Sequence, residues 1–203
     1  NTTYIYLTIL ISLLLALNLQ NLTLLITTFI IMIIYSIKKT FLFFLVSGSI
    51  VLLFFDLGDF KYFIDRIPFS DTQNLSSLVF LSGWERAYLN LIYSNFFGIG
   101  FNQLGFVGTT GFFQSEISRL GEPGLNMYDA GGIAPKLLSE LGIVGLAFIF
   151  GYLFYLAKAV YMVKKKKLIH SYLDTFYISI FIMSFVSIFI RSSGYFSPIV
   201  FLL

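Results

Sequence analysis

Two carboxylates and three arginines are the side chains of this sequence whose type and position suit chemistry. Asp129 follows Asn126 and Tyr128 just ahead of Gly131-Gly132, and Glu140 stands near the start of a predicted apolar helix. A carboxylate at the boundary of a membrane is costly to hold and ordinarily has a partner or a task. These two are the candidate acid–base groups. Arg86, Arg119 and Arg191 carry the planar guanidinium fork that matches phosphate oxygens. With Lys61, Arg66 and Lys136 they fall in segments predicted to face away from the cytoplasm, against the usual distribution of basic residues. Convergence of two or three of the arginines on a diphosphate is the functional reading. The competing reading pairs them with Asp65, Glu85, Glu116 or Glu122. Likewise, Glu140 could serve only as a structural partner of an outer arginine, and Asp129 only as a turn or cap residue.

The elements that must position these groups follow from hydropathy. The 203 residues are 58% hydrophobic and 19% aromatic, and only 11% are charged. A soluble domain needs roughly 25% charged residues to cover its surface, so lipid is expected to cover this one. Apolar runs at 4–19, 22–37, 41–55, 141–163 and 173–190 approach the ~20 residues a bilayer crossing requires, and a sixth starts after Pro198. The run 41–55 is short for a span, and Pro135 suits the first turn of the fourth helix. The basic clusters Lys38-Lys39 and Lys164 to Lys167 mark cytoplasmic ends. Two crossings separate them, so 56–134 lies outside, together with the turns at 18–21 and 191–197. The expected fold is all-α and polytopic: three transmembrane helices over 1–55, a Gly-rich outer loop subdomain with one amphipathic helix over 56–134, and further transmembrane helices over 135–203. The chain opens on Asn1 without a secretory signal and closes inside an apolar run, and reads as a piece of a longer protein.

The outer segment is too long for a connector and too rich in Phe, Tyr, Leu and Ile for disorder. A helix is expected over 83–97, with Trp84, Tyr88, Leu91 and Ile92 on one apolar stripe and Arg86, Asn90 and Tyr93 on another face. Gly98-Ile99-Gly100 with Gly105 is a tight turn after this helix. It is not a dinucleotide fingerprint, because no strand precedes it and no βαβ unit surrounds it. With no Cys and a single His, neither a thiolate nor a His-rich metal site can form, and no cofactor is expected. His170, beside the lysine run, reads as a solvated loop residue. No feature points to nucleic acid.

Three stretches in order then carry a resemblance: Ser82-Gly83-Trp84-Glu85-Arg86, Phe97-Gly98-Ile99-Gly100-Phe101, and Ala134-Pro135-Lys136-Leu137-Leu138-Ser139-Glu140-Leu141-Gly142-Ile143-Val144-Gly145-Leu146. The set resembles the core of the O-antigen polymerase and O-antigen ligase superfamily across about 82–152. Trp84 and Glu85 separate Gly83 from Arg86, where many members have Arg directly after Gly. The resemblance implies a C-type membrane glycosyltransferase fold with a periplasmic loop subdomain in a bacterial inner membrane. It implies a metal-independent polymerase that joins oligosaccharide repeat units carried on undecaprenyl diphosphate, with a chain-length regulator as a further partner. Ligases commonly carry a His in the outer loop; this chain has none there, which favours the polymerase. A ligase, or a polysaccharide transporter or flippase, is the alternative. In this reading Arg86, Arg119 and Arg191 hold the diphosphate, Asp129 or Glu140 acts as base, and Trp84 and Tyr93 stack on sugar rings. Core packing accounts for such aromatic residues equally well.

Overall fold

The computed structural model describes residues 2–35, 62–64, 66, 74–164, 172–192, 194 and 195. The expected helix at 41–55, Lys38-Lys39, Lys165 to Lys167, His170 and the run after Pro198 lie outside the described residues. Regular structure among the described residues is helical, with no sheet.

Helices α1 (Thr2–Asn18) and α2 (Leu22–Tyr35) form a hairpin. Its turn is tight because Gln20 adopts φ 47° and the Asn21 side chain accepts the Leu24 N–H at 3.0 Å, capping α2. Ile9, Leu13 and Met32 interlock between the two helices. Inside α2 the Thr27 and Thr28 hydroxyls donate to carbonyls one turn back, at 2.7 and 2.8 Å. Both donors are thereby satisfied within the helix itself.

Further along, α3 (Leu75–Tyr93), α4 (Phe112–Arg119) and α5 (Ile133–Leu141) build a compact cap, followed by α6 (Ile143–Lys164) and α7 (Tyr172–Phe189). Helix α6 has 22 residues, about 33 Å at 1.5 Å per residue, which matches the ~30 Å hydrocarbon core of a bilayer. Over Ile143–Val163 it is long and apolar enough to cross a membrane, and only 17% of its most apolar window is buried within the protein. Its inner stripe packs on α7 through Ala159, Val163 and Ile182, with Ile30 of α2 against the same cluster. Tyr152 donates to the Phe181 carbonyl at 3.0 Å and shares a contact with Ser184, so the polar atoms between α6 and α7 satisfy one another.

Two sequence expectations change. The helix expected over 83–97 begins at Leu75, where Asn74 caps it by accepting the Ser76 N–H at 3.0 Å. Its buried side is Ser77, Leu78, Ser82, Gly83, Arg86, Ala87 and Asn90, while Tyr88, Ile92 and Tyr93 are exposed. The polar stripe faces inward because each of its long side chains finds a partner there, and because Gly83 lets the Ala130 backbone approach where a Cβ would collide.

The second change concerns the fourth helix, expected to run from Pro135 into the apolar stretch 141–163. It is two helices: Pro135 belongs to the first turn of α5, and the apolar stretch is α6. The break falls at Gly142, which takes φ 57° and ψ −128°, a conformation essentially confined to glycine. A Cβ there would also collide with the Phe96 carbonyl. Gly142→Ala is therefore expected to lower stability by more than ~2 kcal/mol. Gly151→Ala, inside α6 and facing open space, should raise it by ~0.5–1 kcal/mol. Unfolding midpoints of the two variants in detergent micelles check the pair; equal midpoints would contradict the strained break.

Candidate functional site

Where α5 stops, its last carbonyls need new donors. The turn after α3 supplies them: Ile99 N–H donates to Ser139 O at 3.1 Å and Gly100 N–H to Glu140 O at 3.0 Å, while Ile143 N–H donates back to Phe96 O at 2.8 Å. The Gly-Ile-Gly turn and the Glu-Leu-Gly break are thus bound backbone to backbone. Around this strap lies a buried polar network. The Glu140 carboxylate, 1% exposed, accepts the backbone N–H groups of Asn102 at 2.8 Å and Leu104 at 3.1 Å. Lys136, one turn earlier, places its ammonium 3.6 Å from Glu140, and it donates to Tyr128 O at 2.6 Å and to Asn102 Oδ1 at 3.3 Å. The same ammonium stands 3.9 Å from Asp129 Oδ1 and 5.0 Å above the Tyr195 ring. Burial, then the neighbouring Glu140 charge, push the Tyr195 hydroxyl well above the usual tyrosine range. Asn90 closes the network, donating to Ser139 Oγ at 2.6 Å and accepting the Thr109 N–H at 2.7 Å.

Beside this network are two adjoining clefts. The first, of about 530 Å³, is walled by the α1–α2 turn (Gln20, Asn21), the start of α3 (Ser76, Ser77), Tyr62, Arg66 and Arg191. The Arg66 guanidinium lies 3.7 Å over the Tyr62 ring. Its pKa is lowered by burial and then by the positive charge of Arg191. Arg66 Nε and Ser77 Oγ are buried without a hydrogen-bond partner among the described residues. No ion pair to Arg66 or Arg191 occurs among those residues. The second cleft, of about 430 Å³, is lined by Asn126, Asp129, Gly131, Ser192 and again Arg191. Ser76, Phe80, Ile190 and Arg191 belong to both. One guanidinium thus separates a cationic cleft from one that holds a carboxylate.

Of the residues singled out from sequence, Asp129 and Arg191 come together in the second cleft, and Arg191 alone of the two also lines the first. The Asp129 side chain is 40% exposed and free to meet a ligand. Glu140 lines neither cleft and organises the 102–104 loop. Arg86 is 2% exposed, donates to Met127 O at 2.7 Å, and has its pKa lowered by burial. It fixes the backbone two residues before Asp129. Arg119 is surface-exposed and paired with Glu116 at 2.6 Å, the rim pairing weighed above for it. Trp84 is half-buried, stacked on Phe189 with centroids 6.5 Å apart, and Tyr93 is exposed on the far face of α3.

Two residues of the site carried little sequence signal. Arg66 sat among acidic neighbours, and only its placement outside the cytoplasm set it apart. Lys136 could have been found from its four-residue spacing to Glu140, which places both on one face of a helix. Glu85, a rim candidate, instead accepts the Phe112 and Phe113 N–H groups at 2.9 Å each and caps α4 from α3.

Neither a protein-family model, nor a curated protein, nor a solved structure matches the chain.

The network has a testable hierarchy. Glu140→Leu orphans two N–H groups and leaves a buried ammonium underpaired, at ~3–5 kcal/mol. Glu140→Gln keeps an acceptor and should cost clearly less. Lys136→Met should be less harmful in the Glu140→Leu background than alone, with a coupling of ~1–3 kcal/mol. A denaturant double-mutant cycle measures this, and strict additivity would show that the two charges do not support each other.

Proposed function

We propose that this chain is the core of a multi-pass membrane glycosyltransferase of the O-antigen polymerase type. It would act on the periplasmic face of a bacterial inner membrane and transfer a growing glycan from its polyprenyl diphosphate carrier to the next lipid-linked repeat unit. The observation that carries this reading is the shared wall. Arg66 and Arg191 border one cleft without a carboxylate partner among the described residues, and Arg191 also borders the cleft that contains Asp129. A site of that form suits a substrate with a doubly charged leaving group and an acceptor hydroxyl next to it. Its walls come from the turn after α1, the start of α3 and the end of α7, the segments that basic-residue topology assigns to one side of the membrane.

In the proposed reaction the anomeric carbon–oxygen bond to the diphosphate breaks as the bond to the acceptor oxygen forms. Asp129 takes the acceptor proton. Arg191 and Arg66 hold the charge that develops on the departing diphosphate, and fixed donors of this kind need no reorganisation as that charge appears. Lys136 and Arg86 act at one remove. The first tethers Asp129 from below, and the second secures the Met127 backbone beside it.

Arg191→Gln and Asp129→Asn, introduced into the full-length gene, are each expected to cut polymer formation at least ~100-fold, collapsing the surface-glycan ladder to a single repeat unit while the protein still inserts. Arg119→Ala should leave the ladder intact. Normal ladders from both site variants would retire the assignment, and loss of every unit from the lipid core would instead favour a ligase or a flippase.

A further inference from the structure

The outward face of the cap is uncharged. Between Arg86 and Glu116 the sequence contains no Asp, Glu, Lys, Arg or His. A water-facing stretch of that length ordinarily has about one charged residue in four. Its surface is aromatic and aliphatic instead. Ile92 and Tyr93 project from α3. Asn95 and Phe96 then take left-handed backbone conformations, φ 50° and 70°, and the turn presents Phe96 and Phe97 outward, Phe97 being 82% exposed. A large apolar side chain at positive φ is rare, and the strap to α5 and α6 holds this one in place.

That turn does not stand apart from the rest of the apolar surface. Phe96 accepts the Ile143 N–H, so the exposed Ile143 and Val144 of the first turn of α6 adjoin Phe96 and Phe97. The patch therefore runs without a break into the helix long and apolar enough to span a bilayer. Of the cap's charged residues, Arg86, Lys136 and Glu140 are buried, and Glu116, Arg119 and Glu122 cluster at the end of α4. Tyr and Phe at the top of a spanning helix are the residue types that the membrane–water boundary selects.

We infer that this face, centred on Ile92, Tyr93, Phe96, Phe97, Ile143 and Val144, is seated in the outer leaflet. The cap is half-submerged, not held above the membrane on the helices. Its occupant is lipid at the boundary of headgroups and acyl chains, ~5–10 Å deep. Insertion from this side tilts the apolar stripe of α3 into lipid and leaves the end of α4 in water. The inference does not depend on the enzymatic reading.

The single tryptophan makes the test direct. In the full-length protein carrying Trp84→Phe, an indole is introduced by Phe97→Trp, by Tyr93→Trp or, as the aqueous control, by Leu120→Trp. Each variant is reconstituted at low protein-to-lipid ratio in phosphatidylcholine vesicles with acyl chains brominated either near the carboxyl end or near the chain middle. The indoles at positions 97 and 93 are expected to emit blue-shifted, to resist iodide, and to be quenched by the shallow bromines at least about twofold more than the control. Iodide quenching without bromolipid quenching at both positions would place the face in water and overturn the inference. Protection from both quenchers would overturn it as well, by showing that protein, whether a second copy or another segment, covers the face. The two positions are independent, so poor folding of one variant leaves the other to decide.

Discussion

The carbonyls of Ser139 and Glu140 lose their helical partners where α5 stops at Leu141, and the turn at 96–100 restores them. This exchange governs the cap. It forces the left-handed conformation at Gly142, sets the angle at which α6 leaves the cap, and brings the 102–104 loop within reach of the Glu140 carboxylate. A continuous helix from α5 into α6 would satisfy those carbonyls internally and would have nothing to hold the turn. The buried charge of Glu140 is tolerable because two backbone donors and one ammonium meet it; a buried carboxylate lacking such partners would cost several kcal/mol.

The same accounting explains the orientation of α3. A helix usually buries its apolar stripe because water lies on the other side. Here the inner surface carries hydrogen-bonding side chains with partners across the gap: Ser82 with Gln114, Arg86 with Met127, Asn90 with Ser139 and Thr109. Buried hydrogen bonds of this kind favour one packing over its alternatives, although Ser77 Oγ and Arg86 Nε are buried without a partner among the described residues. The apolar stripe faces out at little cost if the medium there is lipid.

Under the proposed function, the charges that count are those left unmatched among the described residues. Glu140, Glu85 and Arg119 have partners and shape the fold or decorate it. Arg66 and Arg191 line one cleft with like charge, and burial, then the Arg191 charge, lowers the proton affinity of Arg66. Two neighbouring guanidiniums with no carboxylate partner among the described residues are electrostatically unfavourable until an anion enters. Asp129 completes the asymmetry, since its one ammonium contact is long and nearly half of its side chain is exposed.

The sequence by itself determined the helical class and the apolar stretch that becomes the one described helix long and apolar enough to cross a membrane, Ile143–Val163. Hydropathy and the sparsity of charge are properties of composition and order, and they survive any rearrangement of the chain. Pro135 was visible as a helix start, but Gly142 fell inside the apolar run 141–163, and the two helices with a strap between them were not foreseen. Only the tertiary structure decided which face of α3 points inward, that Glu140 is buried away from both clefts while Asp129 opens onto one, and that Arg66 joins Arg191 while Arg86 and Arg119 bind elsewhere. Most of those outcomes depend on contacts between residues far apart in the sequence, such as Arg86 with Met127 or Asn90 with Ser139. Local periodicity identifies the faces of a helix, but only the partners across the gap decide which face is inside.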